Sequence, residues 1–141
     1  MDAICGTFAE NPALVDIRES VRLADPDLAL SGVIRNSVGF WASEEAVLSP
    51  LYGAAAIDPA ARDLVERQLG DRRAELEGML RRLRRSGRLR SGVTTRHALA
   101  VLLMLTSFET FEQLRRHAGL SQREVTGLLN QSARVLLLDD A

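Results

Sequence analysis

Apolar residues recur along this chain at the spacing of a helix, and it lacks the sustained apolar–polar alternation that is typical of strands. Asp25 and Pro26 are typical of a helix N-terminus, and an apolar stripe at helical spacing follows them. The stripe consists of Leu30, Ile34, Val38 and Trp41. The pattern predicts an all-α fold, an antiparallel bundle of about six helices in one domain over residues 1–141.

Three further helices are predicted in the N-terminal half. Residues 1–11 are typical of the end of a longer helix. Residues 12–24 are ambiguous, and residues 13–20 within them are compatible with a short helix. Residues 43–56 predict another short helix. Pro50 lies inside it, and because proline removes a backbone hydrogen bond, we expect a break near Ser49.

The C-terminal half predicts three more helices. Their bounds are Asp58 to about Ser86, Thr94 or Thr95 to about His117, and Ser121 to Leu138. The first of these is the longest helix expected in the chain. Gly87 and Gly119 are expected to end the first two. Ser121 and Glu124 have the spacing of a capping box at the start of the third.

The last two predicted helices carry more apolar surface than one side of a bundle covers. Residues 98–105 are apolar all the way round, and such a helix must be covered on more than one side. We expect a second copy of the chain to supply this cover and form a four-helix interface with twofold symmetry. An ordinary core helix within one chain is the alternative. The predicted interface residues are Val125, Leu128, Leu129, Ser132, Val135 and Leu136.

Composition narrows the class of protein. Hydrophobic residues make up 46% and charged residues 26% of the chain, and the net charge of -1 gives no strong field for nucleic acid or acidic membranes. No stretch approaches the roughly 20 apolar residues of a membrane span. The first residues lack the basic region of a signal peptide, and one cysteine, Cys5, fits a reducing compartment. We therefore expect a cytoplasmic protein without membrane contact.

Polar and aromatic residues among the apolar stripes outline a candidate small-molecule site. Arg72 lies between Leu69 and Leu76 in an apolar stripe, where a buried guanidinium needs a carboxylate, a carbonyl or a ligand anion. The alternative is an arginine whose stem packs while its charge reaches water. For the other candidates, ordinary core packing is the alternative. The candidate ligand-binding residues are Ser37, Trp41, Tyr52, Arg72, Met104, Ser107 and Phe108.

Signatures of enzymes are missing from the sequence. It has no Glu-x-x-His pair, no cysteine pair, no phosphate-binding glycine loop and no nucleophile elbow. We therefore predict no catalytic residue, no metal and no cofactor. Residues 81–90 contain six arginines, which suit either a phosphate site or a solvated helix end with acidic neighbours.

Several segments in order carry a family resemblance. They are the capped helix Asp27 to Trp41, Asp58-Pro59-Ala-Ala-Arg with its arginine-rich helix, Leu105-Thr-Ser-Phe-Glu-Thr-Phe111, and Gly119-Leu-Ser-Gln-Arg-Glu-Val125. Over about residues 1–138 the chain resembles the C-terminal regulatory domain of tetracycline-repressor-like (TetR-family) transcription regulators. The most specific part is the Leu-Thr-Ser-Phe-Glu-Thr-Phe segment together with the last helix.

The resemblance implies a domain that dimerises through its last two helices and holds a small, mostly apolar effector. It also implies DNA binding by an N-terminal helix-turn-helix, which this chain does not contain; Met1 would fall within or near the helix that links the two parts. Effector binding is then expected to shift the first helix and change the spacing of the DNA-binding heads. The alternative is a headless helical dimerisation module that acts through protein partners.

Residues 119–132 also look like the first helix and turn of a helix-turn-helix. A recognition helix would then begin near Ser132. Because that segment is apolar and then acidic, with Arg134 as its one basic residue, it would repel phosphates. The sequence therefore favours a packing role for this end of the chain.

Overall fold

The computed structural model describes residues 12–139, apart from the side chains of residues 13 and 14. The helix predicted at residues 1–11, and Cys5 within it, lie outside the described residues. The chain is an all-α bundle, as the sequence predicts. Its helices are α1 (Pro12–Ser20), α2 (Pro26–Ala55), α3 (Pro59–Arg85), α4 (Thr95–Leu105), α5 (Phe108–Glu112) and α6 (Gln122–Leu137), with a π-helical turn, Gln113–His117, after α5.

Helix α2 is the centre of the bundle. It packs against α1, α3, α5 and α6, while α4 packs against α3 and α6. The Asp25 side chain accepts a hydrogen bond of 2.9 Å from the backbone N–H of Asp27, which caps the helix as predicted. The predicted stripe is buried in full: Leu30, Ile34, Val38 and Trp41 each expose 6% or less of their surface.

The separate short helix predicted at residues 43–56 and the break predicted near Ser49 are both wrong, because α2 continues from Pro26 through Pro50 to Ala55. Proline leaves the carbonyl of Ala46 without its helical donor. Ala46 and Pro50 both lie on the exposed side of the helix, where water can bond that carbonyl. Leu48 and Leu51, on the opposite side, are buried in the core. Packing on the buried side therefore holds the helix together where local propensity disfavours it.

The continuous helix predicted from Thr95 to His117 is also wrong, because it breaks at Thr106 and Ser107. The Thr106 hydroxyl donates to the carbonyl of Leu102 at 2.6 Å. The Ser107 hydroxyl accepts from the backbone N–H of Thr110 at 3.1 Å and so caps α5. Hydroxyl side chains that bond nearby backbone groups compete with helix continuation, and two in succession end α4.

Helices α1 and α2 approach closely at Gly32. A Cβ atom at this position would lie 2.6 Å from the Ser20 hydroxyl oxygen. That hydroxyl is fixed because it donates to the carbonyl of Asp16 at 2.8 Å and accepts from Asn36 Nδ2 at 3.0 Å. The glycine therefore sets the distance between α1 and the rest of the bundle.

Polar contacts tie the C-terminal end of the chain to the start of α2. Arg88, in the turn after α3, donates from Nη2 to Asp27 Oδ2 at 3.0 Å, and Arg134 Nη2 on α6 lies 3.8 Å from the same oxygen. Beside them, an isolated antiparallel bridge joins Leu89 to Leu138. These contacts fix α6 against α2.

Helix α6 begins as predicted and runs without a break. The Ser121 hydroxyl accepts from the backbone N–H of Glu124 at 3.1 Å, and Glu124 Oε1 accepts from the backbone N–H of Ser121 at 3.1 Å. The capping box is therefore confirmed. Because the helix passes straight through Ser132, no recognition helix begins there, and the helix-turn-helix alternative is excluded.

None of the described helices combines the length and the apolar character that crossing a membrane would require.

Candidate functional site

A cavity of about 90 Å³ lies where α1, α2 and α3 meet. Its walls are largely apolar, with charged and hydroxyl groups at a few points. Helix α1 contributes Ile17 and Arg18, α2 contributes Ser37, Phe40, Trp41 and Tyr52, and α3 contributes Gln68, Leu69, Asp71, Arg72 and Glu75. Because three helices share the walls, the spacing of those helices sets the shape of the cavity.

An aromatic cluster forms one wall and is held in a fixed orientation. Trp41 Nε1 donates to the carbonyl of Thr106 at 2.8 Å, so the break between α4 and α5 provides the indole's partner. The Tyr52 ring meets Trp41 edge-on with centroids 6.5 Å apart. Phe108 lies behind both rings, 5.5 Å from Trp41 and 4.8 Å from Tyr52 between centroids. Such pairs stabilise one arrangement of the wall.

Arg72 places a positive charge at this wall, and its terminal nitrogen atoms have no hydrogen-bond acceptor among the described residues. Its Cζ lies 5.6 Å from the centroid of the Trp41 ring, in a cation–π contact. Nη1 and Nη2 each expose less than 1 Å² and have no hydrogen-bond partner among the described residues. Burial lowers the pKa of Arg72 to about 10, although the nearby Tyr52 and Glu109 act in the opposite direction. The guanidinium is therefore charged at neutral pH, and its two Nη atoms are desolvated without acceptors in the described part of the chain.

The Tyr52 hydroxyl is kept in its neutral form. Burial raises its pKa to about 12, the charge of Glu109 contributes in the same direction, and Arg72 acts against both. At neutral pH the phenol therefore keeps its proton and can act as a hydrogen-bond donor.

Arg18 and Glu75 form a balanced pair between α1 and α3. Arg18 Nε lies 3.5 Å from Glu75 Oε1. Burial raises the pKa of Glu75, while Arg18 and Arg22 lower it and Asp71 adds to the rise. Two arginines line the cavity. Arg18 lies beside the carboxylate of Glu75, whereas the Nη atoms of Arg72 have no hydrogen-bond partner among the described residues.

The structure brings together Ser37, Trp41, Tyr52 and Arg72 from the predicted ligand-binding set. Phe108 is buried behind the cavity and supports its aromatic wall. Met104 is 55% exposed and Ser107 caps α5; neither lines the cavity. Met104 lies on α4 as predicted, but on its exposed side. The break at Thr106, which the sequence did not predict, takes Ser107 out of that helix.

The wall formed by α1 was missed from the sequence. Ile17 and Arg18 lie in a segment whose short pattern left its structure ambiguous. On α3, Gln68, Arg72 and Glu75 share one face at spacings of four and three residues, and all three line the cavity. From that spacing, Gln68 and Glu75 could have been predicted to line the same site as Arg72.

The predicted dimer face divides into two parts. Val125 and Leu129 are 0% and 3% exposed, because they pack into the core of their own chain. Leu128, Val135 and Leu136 are 43%, 58% and 42% exposed, and Ser132 is half-buried. These three exposed residues lie on one side of α6 and form the C-terminal apolar patch, while Met104 is exposed on the neighbouring α4. The apolar surface of α6 is therefore wider than the part that the core of the same chain covers.

The arginines of residues 81–90 are largely engaged within the chain. Arg81 pairs with Glu77 at 3.5 Å, Arg84 donates to the carbonyl of Val93 at 2.8 Å, and Arg90 donates to the carbonyl of Val135 at 2.7 Å. Arg88 is bound to Asp27. These contacts connect the end of α3 to its following turn and to α6, which favours a structural role for the segment.

Comparisons with known proteins found no match to a protein-family model, to a curated protein or to a solved structure. The resemblance to TetR-family regulators therefore rests on the sequence segments that carry it.

Proposed function

We propose that this chain is the effector-sensing and dimerisation domain of a TetR-like transcription regulator that works in the cytoplasm. DNA binding would belong to a helix-turn-helix outside this chain. The cavity at α1, α2 and α3 is the observation that carries the proposal. Its mixture of apolar walls and a few polar groups is the usual makeup of a small-molecule site.

The cavity couples an occupant to α1, which lies nearest in sequence to the position of a DNA-binding head. Ile17 and Arg18 form part of its wall, and Arg18 connects α1 to α3 through Glu75. An occupant that fits one spacing of α1 and α3 better than another shifts the population toward that spacing. In a complete regulator this shift would change the separation of two DNA-binding heads, provided that the effector prefers one arrangement.

Dimerisation is the second part of the proposal. Met104, Leu128, Val135 and Leu136 are exposed on two helices that pack against each other. Burying these side chains against their copies in a second chain would complete a four-helix interface. A twofold interface would also place the two α1 helices at a fixed separation, which the proposed mechanism requires.

Native mass spectrometry of the protein isolated from its own host tests both parts together. The proposal predicts the mass of two chains and an additional small molecule that is released on activation. A single chain, or a dimer with no small molecule and no response to any added one, contradicts effector sensing.

The second candidate is a headless dimerisation module that acts through protein partners. The C-terminal apolar patch favours it, since this surface suits a partner helix as well as a second copy. A dimer whose α1 shows the same hydrogen exchange with and without small molecules would support the module over the regulator.

A further inference from the structure

We propose that the cavity recognises a small monocarboxylate, with the carboxylate against the Arg72 guanidinium and the hydrocarbon part against Trp41 and Tyr52. This inference deepens the proposed function and rests on it, because it names the chemical class of the effector. Arg72 lines the cavity, and both of its Nη atoms are buried without acceptors among the described residues. A carboxylate offers two oxygens that match two guanidinium donors in a bidentate pair.

The charges around the cavity favour an anion over a cation. Arg18 is balanced by Glu75 at 3.5 Å. Asp71 and Glu109 are exposed, so water and salt screen their charges. Neither satisfies Arg72 Nη1 or Nη2. The uncompensated buried charge is therefore positive, and a bound anion would neutralise it.

The walls and the size of the cavity favour a carboxylate over a larger or more highly charged anion. Phosphate or sulfate presents oxygen on every side and would meet the aromatic wall formed by Trp41 and Tyr52. A monocarboxylate has one charged end for Arg72 and one apolar end for that wall. The volume of about 90 Å³ lies well below the roughly 300–1,000 Å³ of sites for drug-sized ligands, so the fitting acid is a short one.

The sole tryptophan of the chain provides the readout, because Trp41 lines the cavity. We would titrate the purified full chain with butyrate, with butyramide as a neutral ligand of the same shape, and with inorganic phosphate, and follow Trp41 fluorescence. Butyrate is expected to give a saturable change. Butyramide is expected to bind at least about tenfold more weakly, since the charge-assisted bidentate pair is lost. Phosphate is also expected to bind at least about tenfold more weakly, because it would present oxygen to the aromatic wall formed by Trp41 and Tyr52.

Variants at Arg72 identify the group that binds the anion. Arg72→Met is expected to weaken butyrate binding by at least about tenfold, and Arg72→Lys to weaken it less, because lysine keeps the charge but not the paired donors. Arg67→Met is the matched control. It removes the same charge from an exposed position on α3 that does not line the cavity. Circular dichroism confirms that each variant is folded.

Equal binding of butyrate and butyramide overturns the carboxylate assignment and leaves a neutral effector, so the proposed function survives. If phosphate binds more tightly than butyrate, the carboxylate assignment is overturned in favour of a site for inorganic oxyanions. Undiminished butyrate binding by folded Arg72→Met, or no response to any of the three probes, also overturns it. The dimer measurement below does not depend on these outcomes.

Discussion

At the scale of single residues, Arg72 is where the fold departs from the usual pairing of buried charges. A buried guanidinium normally has acceptors, since desolvation without them costs several kcal/mol. Here the indole of Trp41 offers a partial substitute, with 5.6 Å between Arg72 Cζ and the ring centroid. A buried charge that lowers the stability of the ligand-free protein is typical of a side chain whose role is to bind a ligand.

Arg72→Met is therefore expected to stabilise the ligand-free protein. Methionine fills the same apolar space without a charge. We therefore expect the free energy of unfolding to rise by about 1–3 kcal/mol, a net value that already includes the loss of the cation–π contact. Urea unfolding at neutral pH measures the change. Arg67→Met should change the free energy by no more than about 0.5 kcal/mol. A clear loss of stability in Arg72→Met would show that the guanidinium is structural.

Tyr52 allows a direct check of the electrostatics, because it is the only tyrosine in the chain. Its phenol is expected to titrate at about 12, and the ultraviolet absorbance of the phenolate measures the midpoint. Glu109→Gln should lower that midpoint, since the charge of Glu109 raises the pKa. A midpoint at the ordinary value of 10.0 in folded protein would contradict the burial of the hydroxyl.

The same pKa values determine how these two residues affect stability at alkaline pH. The folded pKa of Tyr52 is raised from 10.0 to about 12, so its contribution to stability is complete below pH 10 and is lost toward pH 12. Burial lowers the folded pKa of Arg72 from its ordinary value to about 10, so stability rises as pH increases above about 10. The two effects oppose each other over pH 10 to 12.

At the scale of helices, the sequence predicted best where one local interaction decides the outcome. The Ser121–Glu124 capping box and the Asp25 cap need only short-range contacts, and both are present. Pro50 was misjudged because buried residues on the opposite side of α2 keep the helix intact. Thr106 was misjudged because apolar periodicity does not register hydroxyl groups that bond the backbone.

The candidate site follows the same rule. Trp41, Tyr52 and Arg72 were identifiable because each places a distinctive side chain on a predicted helix. The wall formed by α1 was not, because its position depends on a close approach at Gly32 that one sequence does not reveal.

Gly32→Ala is expected to destabilise the protein by about 1–3 kcal/mol, because its Cβ would press on the fixed Ser20 hydroxyl. Gly70→Ala is the control. Its Cβ meets nothing described within 4 Å, and alanine favours the interior of α3 by up to about 1 kcal/mol. Thermal unfolding of both variants measures the contrast. If Gly32→Ala is as stable as Gly70→Ala, the α1–α2 contact does not fix the cavity.

At the scale of the whole molecule, one chain leaves apolar surface open at its C-terminal end while its core is complete. Val125, Leu129 and Leu137 fill the inner side of α6, and the C-terminal apolar patch lies on its outer side. The sequence indicated the excess of apolar surface on α6. It did not show which residues are buried in the core and which stay exposed, because periodicity alone does not reveal the neighbour that covers each residue.

Leu128→Glu and Val135→Glu are each expected to convert a dimer into monomers, because a charge would be buried at the interface. Ile57→Glu makes the same kind of change at a residue that is 86% exposed and distant in sequence from the patch, and it should remain dimeric. Sedimentation velocity distinguishes the two results. A wild-type chain that sediments as a monomer at high concentration would contradict the dimer.

The cavity beside Arg72 is the proposed binding site for a small carboxylate. A crystal structure of the chain grown with butyrate tests it most directly. We expect a carboxylate within about 3 Å of Nη1 and Nη2 of Arg72, with its hydrocarbon chain against Trp41. A cavity without butyrate, with the Arg72 guanidinium turned outward to water, would contradict it.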